Sequence, residues 1–345
     1  MVMGYIDEFL ERFTGVTQVG TLSWKAVCPG HADVLPSLHI SIGETGKIVA
    51  HCHGGCRKED WMDAAGVTFQ DMVNDGIKRP VRKPAELTPA DFILRNRVYQ
   101  EIIQCLPLSS QDRDGLYRRG LSQNDIVHGQ YRSFDWFDVE RMLQRLHREI
   151  GPEIFRVPGI RKAGDKVQTL RKAGLLVPVR GRDSKIVSCQ LRTDSETSKY
   201  LWLSTGGAGR ASTHYPWDWT RIPRDQVVRE LRVTEGPLKA DVISRLGKTL
   251  AYTVGCQGVS TWKSTLLDLG NLQALGLQTV RLAFDMDWRT QPGVAQQVSL
   301  FWTAIEEMGL TPVLETWEGH KGLDDALLAG VKIEEHYAEP SETKR

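Results

Sequence analysis

In the run LAFDMDW (282–288), Asp285 and Asp287 stand two residues apart directly after an apolar stretch, and a third carboxylate, Glu235, ends another apolar run, LRVTEG (231–236). Carboxylates are hard oxygen ligands. Magnesium takes one or two of them, keeps several waters and completes its shell with phosphate oxygens. Alternate side chains of an extended segment point the same way, so Asp285 and Asp287 are expected on one side of the chain. An isolated Asp-x-Asp is most often a polar turn, but a Glu-Gly at the end of an upstream strand gives it weight. The chemistry expected of such a set is metal-assisted phosphoryl transfer.

A second constellation lies near the N-terminus. CPGHADVLPSLHI supplies Cys28 and His31, and HCHGGC supplies Cys52 and Cys56 about one hairpin later. Four soft or borderline ligands in two short pairs suit tetrahedral zinc, and a closed four-ligand site is structural because no position is left for a reacting water. Two residues also separate His53 from Cys56, so Cys52 and His53 both remain open as a ligand. SLHISIG and GKIVAHC alternate as strands around a turn at 44–46, which brings the two pairs to one end of a small sheet.

The elements that must position the carboxylates follow from the pattern after residue 231. Apolar strands (LRVTEG, TLAYTVG, TVRLAFDMD, TPVLETWEG) alternate with helical segments, which predicts a parallel sheet covered by helices on both faces. Ligands of such sheets bind outside the carboxyl ends of the strands, where all three carboxylates would converge. Upstream, GLLVPVRG, KIVSCQLRT and KYLWLST read as an antiparallel meander. Residues 91–150 carry apolar positions at helical spacing, with Ser122 as an N-cap before Asp125. The segment 78–89 holds three prolines and four basic residues without apolar periodicity and reads as a linker. HYPWDWTRIPRD interleaves Trp217 and Trp219 with Arg221 and Arg224, a pairing on which single-stranded bases can stack, although Trp more often anchors a core.

The 345 residues carry a formal net charge of +1, so no overall field names a partner, but the charge is unevenly spread. Residues 141–185 hold twelve Lys/Arg against four Asp/Glu, and residues 231–345 hold eleven against fifteen. The opening MVMGYIDEFLERF carries Asp7, Glu8 and Glu11 on a helical pattern, so neither a signal peptide nor a membrane span is expected. Six cysteines without an export signal point to a reducing compartment and to metal binding over disulfides.

The Cys-Pro-x-His start, Pro36-Ser37 and the second cysteine pair resemble the zinc-binding domain of DnaG-type bacterial and phage DNA primases. Three residues separate Cys52 from Cys56, where cellular primases usually have two, a spacing similar to that of the mobile-element branch. TEGPLKAD, AFDMD and KGLDDAL resemble the Toprim domain that these primases share with topoisomerases and some nucleases. The resemblance implies an α+β multidomain chain: a small zinc-bound β domain, a helical connector, an antiparallel strand segment, then a Toprim α/β (Rossmann-like) parallel-sheet domain. The corresponding boundaries are 1–76, a linker at 77–90, 91–170, 171–230, 231–333 and a tail at 334–345.

By the same resemblance, Glu235, Asp285 and Asp287 are the catalytic acids that hold magnesium or manganese. Lys239, Asp241, Lys321, Asp324 and Asp325 are outer members, and Arg192 and Lys199 belong to a basic face that handles template and nucleotide. The implied activity is RNA primer synthesis on single-stranded DNA from nucleoside triphosphates, in phage, plasmid or other mobile-element replication, in the cytoplasm near the nucleoid. GVSTWKST lacks the glycine before lysine that a phosphate loop needs, so the helicase is expected to be a separate partner. The alternatives are a non-catalytic DNA-binding replication factor with a Toprim fold, or a Toprim nuclease. Intact carboxylates weigh against the first, and the zinc domain is unexplained by the second.

Overall fold

The computed structural model describes residues 3–31, 33, 36–43, 47–68, 70–72, 89–195, 199–204, 213–223, 226–247 and 251–338. The turn expected at 44–46, most of the linker expected at 77–90, Arg224 and the end of the tail from 339 lie outside them. Residues divide into two compact units, Met1–Glu86 and Leu87–Arg345. Among the described residues no helix is long and apolar enough to cross a membrane.

In the first unit, α1 (Met3–Leu10) precedes an antiparallel sheet of β1 (Thr17–Gly20), β2 (Ser23–Ala26), β3 (Leu38–Ile42) and β4 (Ile48–Cys52), in sequence order. Leu38, Ile40 and Ile42 alternate on β3 and turn one face inward, where Ile6, Phe9 and Phe13 cover it. Then α2 (Lys58–Ala65) buries Trp61 in the same core and ends at Gly66, whose φ of 61° suits a residue without Cβ.

The second unit starts with α3 (Pro89–Cys105), with proline at the first helical position, followed by α4 (Ser110–Arg118) and α5 (Gln123–Gly129). Ser122 caps α5: its Oγ accepts from the Asp125 backbone N–H, and the Asp125 carboxylate accepts from Ser122 in return. Next come β5 (Arg132–Phe134), α6 (Trp136–Ile150) and a small hairpin of β6 (Arg161–Ala163) and β7 (Lys166–Gln168). The expected meander is present as β8 (Gly174–Arg180), β9 (Ile186–Arg192) and β10 (Tyr200–Trp202), with β5 added at its edge beside β8. Val98, Ile102, Val139 and Leu143 of α3 and α6 share one core with Leu176, Cys189 and Leu191 of this sheet. The helical stretch expected as a connector is therefore the second layer of the strand segment, joined to it by apolar burial.

A six-stranded sheet follows, built from β11 (Thr213–His214), β12 (Glu230–Glu235), β13 (Tyr252–Cys256), β14 (Thr279–Ala283), β15 (Thr311–Thr316) and β16 (Glu334–His336), with α7 (Pro237–Leu246), α8 (Leu266–Gln273), α9 (Pro292–Glu307) and α10 (Leu323–Leu328) between. Its order is β11-β13-β12-β14-β15-β16; the four inner strands are parallel and the two edges antiparallel. From β12 the chain moves to β13 on one side and later resumes at β14 on the other. That reversal opens a crevice at the carboxyl ends of β12 and β14. Beneath it, Val233, Val254, Leu282, Phe301 and Trp302 form the main core of this layer.

Candidate functional site

The crevice is a cleft of about 370 Å³ whose lining includes Glu235, Asp285 and Asp287. Glu235 is the last residue of β12. Gly236 then takes a φ of 84°, donates its N–H to Cys256 O at 2.7 Å, and leads into Pro237 at the first position of α7. A Cβ on Gly255 would stand 2.7 Å from Gly236 O, so this close approach requires glycine. Thr234 Oγ1 donates to Ala283 O at 2.9 Å and ties the ends of β12 and β14 together.

Asp285 and Asp287 reach the cleft by a geometry other than the expected extended alternation. Strand β14 stops at Ala283, and Asp285 precedes a 3-10 turn at Met286–Arg289 that contains Asp287. The turn bends the chain across the carboxyl end of the sheet, and Met286 N donates to Lys321 O at 2.8 Å, which fixes the neighbouring loop. Two lysines neutralise the acids: Lys239 of α7 pairs with Asp285, and Lys321 Nζ lies 2.7 Å from Asp287 and 3.7 Å from Asp285. Burial, then the charge of Asp285, holds the Glu235 carboxyl above the usual range against the pull of Lys239. The hydrogen bond to Asp287 raises Lys321.

The other residues expected around the cleft divide by direction. Asp324 is buried behind it, its Oδ2 3.1 Å from Arg119 Nη1, and burial raises its carboxyl. Asp241 lies two residues beyond Lys239 on α7, so it faces away from the cleft. It accepts from Tyr131 Oη at 2.6 Å and pairs with His214 Nε2 at 3.0 Å. Asp325 is exposed and lines a separate polar pocket of about 360 Å³ with Arg118, Arg119 and Arg192. Lys199 is exposed just before β10. Trp219 is buried and donates from Nε1 to Thr253 O at 2.9 Å, whereas Trp217 contacts His128 and the Arg221 guanidinium, each 4.6 Å away. Gln190, Tyr200, Gln257 and Gln291 also line the carboxylate cleft. Isolated glutamines carry no spacing signal, and Tyr200 could be found only from its place in KYLWLST.

In the first unit, ligand atoms of Cys28, His31, Cys52 and Cys56 all lie within 4.8 Å of one another. His31 Nδ1 is 3.1 Å from Cys56 Sγ and 3.8 Å from Cys52 Sγ. The opposite ring nitrogen of His31 is 3.7 Å from Asp33, whose carboxylate also accepts from Cys28 N and Ser37 Oγ, each at 2.7 Å. That carboxylate orders the ligand loop and falls to about 2, chiefly through the Cys28 N–H. Gly54 packs on the histidine; a Cβ there would come within 2.7 Å of the ring. Burial pushes the Cys28 thiol up to about 12. Cys52 stands at about 7, because hydrogen bonds from Ser37 and nearby backbone N–H groups outweigh its burial. This Cys3His set fits a zinc ion. His53 lies outside the set and packs its ring against His39 and His51.

A small Cys3His unit and an α/β body with a carboxylate-rimmed parallel sheet define a class of metal-binding, multidomain α+β proteins. Within that class the chain resembles DnaG-type DNA primases. No family model matches it. It is 25% identical over 214 residues to the DNA primase of Thermotoga maritima, which covers 57% of this chain and 36% of that protein; the chain thus spans about a third of that curated relative. Its fold is similar to the zinc-binding and RNA polymerase domains of the Aquifex aeolicus primase, with a TM-score of 0.51, 12% identity, and coverage of 96% of this chain and 84% of that one. It is also similar to the RNA polymerase domain of Mycobacterium tuberculosis primase DnaG, solved with a double-stranded DNA oligomer bearing an overhang, with a TM-score of 0.53, 15% identity, and coverage of 70% and 77%.

Proposed function

We propose that the chain is a DNA primase that makes short RNA primers on single-stranded DNA by metal-dependent nucleotidyl transfer, in the replication of a phage, plasmid or other mobile element. The observation that carries this reading is the convergence of Glu235, Asp285 and Asp287 on one cleft at the sheet's switch point. The sequence likeness to a DNA primase and the matching fold support it. In this reading residues 1–76, within the first unit, are the zinc-binding domain, and residues 231–333 are the Toprim catalytic domain.

Three oxygen-donor side chains on an open cleft fit magnesium or manganese, and such an ion supplies charge neutralisation at the attacking and leaving oxygens. Glu235, Asp285 and Asp287 would hold it. Lys239 and Lys321, which pair with the acids at the cleft, would bind the triphosphate of an incoming nucleotide by charge. As the primer 3′-oxygen bonds to the α-phosphorus, its proton passes to water in the cleft and pyrophosphate leaves. Asp324 supports Lys239 from behind. Asp241 and Asp325 act outside the cleft, the first as a tie to Tyr131 and His214 and the second on the polar pocket with Arg192. We assign that arginine and Lys199 to the template path. A separate replicative helicase is the partner this reading requires.

A template-directed synthesis assay tests it. The Asp285→Asn/Asp287→Asn protein should fall to background while keeping its circular dichroism spectrum and its affinity for single-stranded DNA, because two charges that repel phosphate have been removed. Wild-type protein that makes no primer with either metal on any template, or a double variant that still does, overturns the enzyme reading in favour of the binding factor.

A further inference from the structure

The carboxylate cleft has a second wall, supplied by the antiparallel sheet. On β9, Cys189 and Leu191 point into the core with α3 and α6, so Gln190 and Arg192 occupy the opposite face. The register pairs Gln190 with Trp202 of β10 and with Val177 of β8. Val177 packs in an apolar cluster with Leu238 and Val242 of α7. An apolar side chain would satisfy the position beside it. The chain has a glutamine there instead, 4% exposed as a whole residue, and its amide lies at the wall of the cleft and is not among the buried polar atoms left without a partner. A primary amide on the wall of a cleft presents both a donor and an acceptor to whatever occupies the cleft.

The chemistry of the cleft narrows what that ligand group is. Cations are claimed by the carboxylates and phosphates by Lys239 and Lys321, so a neutral group that both donates and accepts is left for a neutral partner. A base edge differs among the four nucleotides, and an enzyme that copies a template must take all four. The sugar hydroxyl is common to them. Tyr200, on the same face of β10 and 40% exposed, offers a flat ring on which any base can stack. Resting on the nucleotide reading of the cleft, we propose that the Gln190 amide hydrogen-bonds the ribose 2′-hydroxyl of the bound nucleoside triphosphate and sets the preference for ribonucleotides over deoxyribonucleotides.

The test uses the full chain and two variants: Gln190→Ala, and Gln190→Leu, which keeps the packing beside Val177. Calorimetric titration with ATP and dATP in magnesium reads binding, and single-nucleotide incorporation reads kcat/KM for all four ribonucleotides and their deoxy forms. The wild-type ratio of ribo to deoxy should favour ribonucleotides, and either variant should lower it by about 10- to 100-fold, since a site built to bond a hydroxyl rejects the analogue that lacks it. An unchanged ratio in folded Gln190→Leu protein overturns the inference. So does a wild type that takes ATP and dATP equally, or an effect confined to one base. Wild-type protein that binds neither nucleotide brings down the cleft reading itself.

Discussion

The two metal-capable sites differ in how their donors are enclosed. In the first unit, Cys28 and Cys52 are each 1% exposed, Asp33 and the Gly54 N–H brace the two ligand loops from within, and His53 N donates across them to Ser37 O at 2.9 Å. In the second, three carboxylates line an open cleft and exchangeable lysines balance them. A closed set of soft donors keeps its ion and uses it as a crosslink. An open set of hard donors leaves room in the shell for a substrate oxygen.

The largest effect is expected where the ion is the crosslink. Structural zinc is worth ~10–16 kcal/mol in small finger peptides at neutral pH. Cys52→Ser should therefore lose its zinc, by elemental analysis of the full chain, together with the unfolding transition of the first unit. His53→Ala should keep one zinc per chain and its transition. Zinc retained in Cys52→Ser but lost in His53→Ala would mean that the histidine is the fourth ligand, and the closed-site side of the comparison would have to be redrawn.

A smaller effect separates charge kept for a ligand from charge built into the sheet. Arg232 of β12 and Glu315 of β15 are 5% and 1% exposed and form a bidentate pair at 2.6 and 2.8 Å. No substrate can reach them, and Arg281 of β14 joins them from between. Glu315→Gln leaves a buried guanidinium without its counter-ion and should cost ~3–5 kcal/mol, measured by denaturant unfolding, whereas Arg232→Met/Glu315→Leu should be close to wild type. A Glu315→Gln protein as stable as wild type would show that this network, like the cleft, tolerates an unbalanced charge.

These differences also explain what the sequence reveals. Paired ligands two or three residues apart on a hairpin, and carboxylates closing apolar runs, carry their own spacing. The alternation of strand and helix after residue 231 gives the four parallel strands. The edges do not show: β11 has two residues, β16 has three and all of them exposed, and β5 has three inside a helical stretch, each too short for a period to appear. Motif membership also blurs direction. TEGPLKAD groups Lys239 with Asp241, yet two helical positions turn the second away, toward Tyr131 and His214. Arg232 and Glu315 are ordinary strand charges until the register brings their strands to either side of β14. Gln190 acquires meaning only when two sheets meet over one cleft.

The smallest predicted effect tests whether the cleft is strained without its ion. Glu235 has a folded pKa raised above the usual glutamate value of 4.5, first by burial and then by Asp285. Below 4.5 it is protonated folded and unfolded, and that stability is fully present. It is lost as pH rises through the higher folded pKa, because the native state must then bury a charge beside another carboxylate. Glu235→Gln removes the loss. Without divalent metal, the variant should melt above wild type at pH 8, and the gap should close toward pH 4. Saturating magnesium should reverse the order at pH 8, since an ion that binds only the native state stabilises it by mass action and the variant has lost a ligand. Thermal melts of both proteins at the two pH values, with and without magnesium, decide it. A variant that is less stable at pH 8 in the absence of metal would mean that Glu235 is held by its neighbours as a structural charge, and the contrast between an open site and a closed one would fail at its central residue.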